Sequence, residues 1–178
     1  GGAAHFSETI RAVRHACPHA GIEVLTPDFA GDPRAVSRVL QEHPTVFNHN
    51  IETVARLTPV LRTRATYHRS LAVLEHAGRC APDIPRKSGL MVGAGETAEE
   101  VRQALFDLRR VGCSIVTIGQ YVPPSSAHHP LRQRVSSASF QVYEQMARAC
   151  GFVGIACGPL VRSSYHAAQT FAAARSHG

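Results

Sequence analysis

Arg162, Ser163 and Ser164 stand in the run Cys157-Gly158-Pro159-Leu160-Val161-Arg162-Ser163-Ser164-Tyr165-His166, where an apolar strand hands over to the last helix. A guanidinium and two hydroxyls at such a junction support function more often than packing. On residue type alone Ser164 also reads as the N-cap of that helix, because a serine hydroxyl accepts from a free backbone N–H. Asn50 and Glu52 follow a short strand and place an amide and a carboxylate at its exit, although Asn50 would equally make an Asx turn. Gly93-Ala94-Gly95-Glu96 leaves another strand. It reads either as a tight turn that needs glycine or as a close backbone approach to a ligand, with Glu96 accepting from hydroxyl or amino groups. Pro27-Asp28 and Gln120-Tyr121 complete the set, so every expected strand exit carries a polar group.

Other chemistries find no support. Cys17, Cys80, Cys113, Cys150 and Cys157 are scattered, with no spacing that suits a zinc or iron-sulfur site. His128 and His129 are adjacent, point in different directions and sit among prolines, which argues for a surface loop over a zinc pair. Neither a Gly-x-Ser-x-Gly elbow nor a Walker loop is present.

The elements that must position these groups alternate along the chain. Apolar runs at 22–25, 45–47, 88–92, 114–118 and 152–156 predict five strands. A stripe of Phe6, Ile10, Val13 and Cys17 predicts a buried helix face before the first. Asp32-Pro33 starts a second helix that buries Val36, Val39 and Leu40. A third, over 66–79, buries Leu71, Leu74 and Ala77 and is closed by Pro82 and Pro85. Thr97 and Glu100 form a capping box for a helix with Val101, Ala104, Leu105, Leu108 and Val111 inward. Phe140, Tyr143, Met146, Ala147 and Cys150 line the next, and an Ala-rich helix covers 164–175. Strands with uninterrupted apolar runs, separated by helices, imply a parallel sheet covered on the outside. The pattern fits an open doubly wound sheet or part of a (β/α) barrel, in a single domain over residues 1–178 with no composition break.

Composition bounds the rest. The 178 residues are 44% hydrophobic and 18% charged, with a formal net charge of +6, ordinary for a globular domain. The arginines are dispersed and not interleaved with aromatics, which disfavours a dedicated nucleic-acid binder. No apolar run approaches the roughly 18 residues of a membrane span. Unpaired cysteines suit a reducing compartment.

Taken together, His49-Asn50-Ile51-Glu52-Thr53, Lys87-Ser88-Gly89-Leu90-Met91-Val92-Gly93-Ala94-Gly95-Glu96-Thr97, Thr117-Ile118-Gly119-Gln120-Tyr121 and Arg162-Ser163-Ser164-Tyr165, in this order and spacing, closely resemble the lipoyl synthase family of radical S-adenosylmethionine enzymes. The resemblance covers essentially the whole chain. It selects the barrel: a six-stranded partial (β/α) barrel, of which about five parallel strands with outer helices are expected here. It implies an S-adenosylmethionine site at Gly1, Gly2, Asn50, Glu52, Arg69, Gly93, Gly95 and Glu96, with Asn50 and Glu52 on ribose hydroxyls. Arg69 reads equally as a solvated helix residue. It implies that Ser164, with Ser163 as runner-up, gives an oxygen ligand to one iron of an auxiliary 4Fe-4S cluster. Oxygen is a weaker partner for iron than thiolate, which suits an iron that must be released.

The family reaction so implied inserts two sulfur atoms into an octanoyl chain on a lipoyl carrier domain. A radical from S-adenosylmethionine abstracts hydrogen, and an electron-donor protein supplies the reducing equivalent. The Cys-x3-Cys-x2-Cys loop and the second Cys-rich segment that bind the family's two 4Fe-4S clusters are missing from these residues. The expectation is therefore a C-terminal portion of a lipoyl synthase, inactive alone, that partners octanoylated carrier domains and neither nucleic acid nor membrane. The compartment implied is the cytoplasm, or the mitochondrion in a eukaryote. The alternative is a non-catalytic module that docks acidic lipoyl carrier domains through its basic surface.

Overall fold

The structure, a computed structural model, describes residues 2–175. Five strands, β1 (Glu23–Leu25), β2 (Val46–Asn48), β3 (Arg86–Val92), β4 (Ile115–Gln120) and β5 (Gly154–Gly158), make one parallel sheet in the order β1-β2-β3-β4-β5. That order decides between the two architectures. A doubly wound sheet reverses its strand order part-way, so that helices cover both faces. Here every right-handed crossover steps the same way, so the helices gather on one face and the sheet curls as part of a barrel.

The helices are α1 (Ala3–Ala16), α2 (Pro33–Leu40), α3 (Thr58–Leu61), α4 (Tyr67–Cys80), α5 (Ala98–Arg110), α6 (Ser137–Ala149) and α7 (Ala167–Arg175). Strand side chains alternate between faces. Val24, Phe47, Leu90, Val92, Val116 and Ile118 form one cluster with Val36, Val39, Leu74, Leu105, Leu108, Phe140 and Ala147 of the helices. The opposite, concave face carries Glu23, Asn48, Lys87, Gly89, Thr117 and Gly119, as the register requires. At its floor Lys87, only 1% exposed, gives two hydrogen bonds to Glu23, at 2.8 and 2.9 Å, and Asn48 Nδ2 donates to Glu23 Oε1 at 3.0 Å.

Element starts follow local chemistry. Thr97 and Glu100 make the expected capping box of α5, and Asp32 caps α2 ahead of Pro33. Three details differ from the sequence reading. The α1 stripe is buried only in part: Ile10 is enclosed, whereas Val13 and Cys17 are exposed. This helix packs mainly on α2, beside β1, whose far edge has no strand partner among the described residues. Strand β3 starts two residues before its apolar run and β4 ends two residues after its own, because Lys87 and Gln120 are polar residues with partners inside the fold; β5 also ends two residues late. The last helix begins at Ala167, after His166 adopts a φ of 47°, so Ser164 is not its N-cap. Among the described residues no helix is long and apolar enough to cross a membrane.

Candidate functional site

The exit of β2 is built on a bulge. Asn48 pairs with Lys87, yet Leu90 pairs with Glu52, so the β2 side holds one residue more than β3 between these rungs. Such an insertion re-aims the side chains around it. Ile51 turns into the core at 0% exposure, while Asn50 and Glu52 both reach the concave mouth. Glu52 takes a φ of 65°, a conformation that costs a non-glycine residue about 1 kcal/mol or more. Its backbone is held on both sides, Glu52 N donating to Gly89 O at 3.0 Å and Met91 N to Glu52 O at 2.9 Å. Arg62 Nη1 braces the same segment through Asn50 O, Ile51 O and Ser70 Oγ. His49 is a buried strut between Thr26 O (2.9 Å) and Ser70 Oγ (3.0 Å). Burial pulls its pKa down.

The polar ends of this segment face an open question of hydrogen bonding. Asn50 Oδ1 is buried and has no hydrogen-bond partner. A buried acceptor without a donor is rare, and at a cavity wall it marks where a donor belongs. The cavity here measures about 220 Å³ and is lined by Leu25, Asn50, Glu52, Thr117, Arg162 and Ser163 over the glycines Gly89 and Gly119. The glycines are required. A Cβ on Gly89 would lie 2.5 Å from Thr117 Oγ1 and 3.0 Å from Asn50 Oδ1, and one on Gly119 would lie 2.3 Å from Val161 O. Burial raises the pKa of Glu52, and the Asn50 side chain and Arg62 partly offset the rise. Glu52 also borders a second cleft of about 520 Å³, walled by Leu61, Met91, Tyr121 and Val122. Arg62, His128 and His129 share this slot, so two cavities of mixed polar and apolar lining meet at one carboxylate.

The turn after β3 is occupied by its own chain. The Glu96 carboxylate accepts from Gly93 N and from Ala94 N, the latter at 3.0 Å. Gly93 has a φ of 102°, and a Cβ there would lie 2.3 Å from Gln120 Nε2 and 2.4 Å from Gln133 O. The loop 121–135 crosses this turn and is tied to it: Arg132 N and Gln133 N donate to Gly93 O, and His129 Nε2 lies 2.8 Å from Ala94 O. Gly95 has a φ of 110°, and a Cβ there would meet Arg132 Cγ at an ordinary 3.4 Å. The tight-turn reading thus accounts for Gly93 and for both oxygens of Glu96, while the loop tied to the turn lines the slot through Tyr121, Val122, His128 and His129.

The remaining sites separate. Ser163 lines the 220 Å³ cavity, and Ser164 is exposed one residue further out. Arg69 is committed to Asp28 Oδ2 at 2.6 Å, at the β1 exit. Gly2 opens α1 with a φ of 93°, exposed on the outer shell, and Gly1 lies outside the described residues. Thus Asn50, Glu52 and Ser163 come together, whereas Gly93, Gly95, Glu96, Arg69 and Gly2 do not line the cavity. Sequence reasoning missed Arg62 and gave Thr117 and the buried Lys87 no role beyond their place in the motifs. Gly89 and Gly119, glycines inside strands, were the signal that something approaches this face closely.

Comparison with known proteins bears on this site. Lipoyl synthase of Chlorobaculum parvum is 52% identical over 167 residues, 94% of this chain and 57% of that protein. The resemblance is to lipoyl synthases. Those of Caldicellulosiruptor saccharolyticus and Thermus thermophilus are 47% and 49% identical over 96% of the chain, covering 60% and 53% of their own lengths. The chain thus spans somewhat over half the length of the lipoyl synthases it matches. No family model matches it. Among solved structures, the HMG-CoA lyase of Brucella melitensis superposes with a TM-score of 0.61 at 14% identity, over 98% of this chain and 59% of that one, a likeness of fold.

Proposed function

We propose that the chain is the portion of a lipoyl synthase that cradles S-adenosylmethionine, in an enzyme that inserts two sulfur atoms into an octanoyl chain carried by a lipoyl domain. The observation that carries the reading is the donor-less Asn50 oxygen beside Glu52, over two glycines whose Cβ positions are blocked. These residues fit the cofactor. Asn50 Oδ1 and the Glu52 carboxylate accept from sugar hydroxyls or an ammonium, and Arg162 and Ser163 offer donors on the facing wall. The slot between Leu61, Met91, Tyr121 and Val122 suits a flat base. When bound, S-adenosylmethionine supplies the hydrogen-abstracting radical, and the cradle fixes its orientation and excludes water.

The two 4Fe-4S clusters fit less well. Among the described residues no three His, Cys, Asp or Glu side chains converge as a metal site. The exposed Ser164 hydroxyl would supply one oxygen ligand, and these residues alone would not turn over. The net charge of +6 suits encounter with an acidic carrier domain. Equilibrium dialysis with labelled S-adenosylmethionine tests the cradle. Binding that weakens at least about tenfold in Asn50→Ala and Glu52→Ala supports it, a fold-change expected for losing one buried charge-assisted contact. Equal binding by wild type and both variants refutes it.

A further inference from the structure

At the opposite end of the sheet, α4 closes on Cys80, and three reactive side chains meet there. Cys80 Sγ lies 3.2 Å from His76 Nε2, one turn earlier on α4. Ser37 Oγ, from α2, lies 2.9 Å from the same nitrogen and 3.4 Å from the sulfur. The Ser37 hydroxyl also donates to Pro33 O at 3.0 Å, which leaves its oxygen as an acceptor toward the imidazole. This arrangement provides a path for proton transfer. Neutral His76 with its hydrogen on Nδ1 takes the thiol proton at Nε2. The new N–H then faces both the thiolate and Ser37 Oγ, so the transfer creates a hydrogen bond that the neutral pair lacks. The thiolate is the nucleophilic form of cysteine.

Access completes the site. Cys80 is exposed and borders a groove of about 450 Å³ formed with Leu40, Gln41, His43, Pro82 and Asp83. Elsewhere the thiols are less available: burial pushes those of Cys113 and Cys157 up to about 12. Cys17 is exposed, at the end of α1, and serves as an internal reference.

We propose that Cys80 is a modification site for low-molecular-weight disulfides, with His76 as its base. The Cys80 proton passes to His76 Nε2, and the sulfur attacks one sulfur of the disulfide. A new S–S bond forms as the old one breaks, and the departing thiolate recovers the proton from His76. The products are one mixed disulfide and one free thiol, the reagent being the oxidant. The site does not depend on the cofactor reading.

The test incubates the full chain with limiting oxidised glutathione and follows mixed disulfides at Cys80 and Cys17 by peptide mass spectrometry. Cys80 is expected to react at least about tenfold faster. His76→Gln should bring Cys80 to within about twofold of Cys17 while the Cys17 rate stays constant, and Ser37→Ala should slow it by about threefold should the first variant fail to melt cooperatively. Iodoacetamide, small and neutral, should preserve the Cys80 advantage. Equal rates at the two cysteines, an unchanged Cys80 rate in the folded His76→Gln variant, or loss of the advantage with iodoacetamide would overturn the proposal.

Discussion

Replacing Glu23 with leucine strands an ammonium inside the sheet. Lys87 is 1% exposed, and both of its hydrogen bonds in the ion pair go to the Glu23 carboxylate. Removing one member of a buried pair costs roughly 3–5 kcal/mol, because the survivor keeps its desolvation cost without its partner. Asn48 Nδ2 also loses its acceptor, which adds about 1 kcal/mol. Glu23→Leu should therefore lower the melting temperature by roughly 10–20 °C in a domain of this size. The reverse deletion is milder. In Lys87→Met the surviving carboxylate retains 20% side-chain exposure and its bond from Asn48, so water offsets part of the loss, and about 1–3 kcal/mol is expected. The double variant, with neither charge, should recover most of the Glu23→Leu loss, giving a coupling of roughly 3–6 kcal/mol in urea denaturation. A Glu23→Leu cost under about 1 kcal/mol, or additive single variants, would refute the assignment of a buried ion pair to the concave face.

Three further outcomes follow from named contacts. Gly93→Ala meets both a positive φ and a backbone carbonyl at 2.4 Å, whereas Gly95→Ala meets the φ alone, so thermal melts should show losses of roughly 3–5 and 1–3 kcal/mol respectively. His49 has a depressed folded pKa from burial; the unfolded chain takes up that proton first, so its contribution to stability is complete above about pH 6.5 and is lost as the pH falls below it. The melting temperature should fall between pH 8 and pH 5, with a smaller fall in His49→Gln. If, as proposed, the chain docks an octanoylated lipoyl carrier domain, that binding, followed by pull-down, should weaken as salt rises from 50 to 300 mM, by about tenfold if two or three charge contacts are screened.

Much of the fold was legible because its signals are local. The capping box at Thr97 and Glu100, the Asp32-Pro33 start and the apolar strand runs each depend on a few neighbouring residues. The choice of barrel over doubly wound sheet was not legible in the pattern, which is the same for both; strand order is a long-range property, and the family resemblance made that choice. The bulge at Ile51 was equally hidden, since an extra residue is visible only against the register of the partner strand. Asn50 and Glu52 were singled out as strand-exit polar residues, and two-residue steps from Asn48 put both on the concave face, while the bulge shifts their register against β3. Lys87 was read as motif, and its burial depends on Glu23, 64 residues away. Glu96 shows how residue type alone under-determines role: its carboxylate closes its own turn.

The central claim is that the Asn50–Glu52 mouth receives a nucleoside-bearing cofactor. Titrating S-adenosylmethionine into isotope-labelled chain and following amide resonances tests it residue by residue. Saturable shifts concentrated at Asn50, Glu52, Gly89, Thr117, Gly119 and Arg162, and lost in Asn50→Ala, are expected. Shifts at millimolar cofactor that are absent, or that map instead to α1 or to the groove beside Cys80, would contradict it.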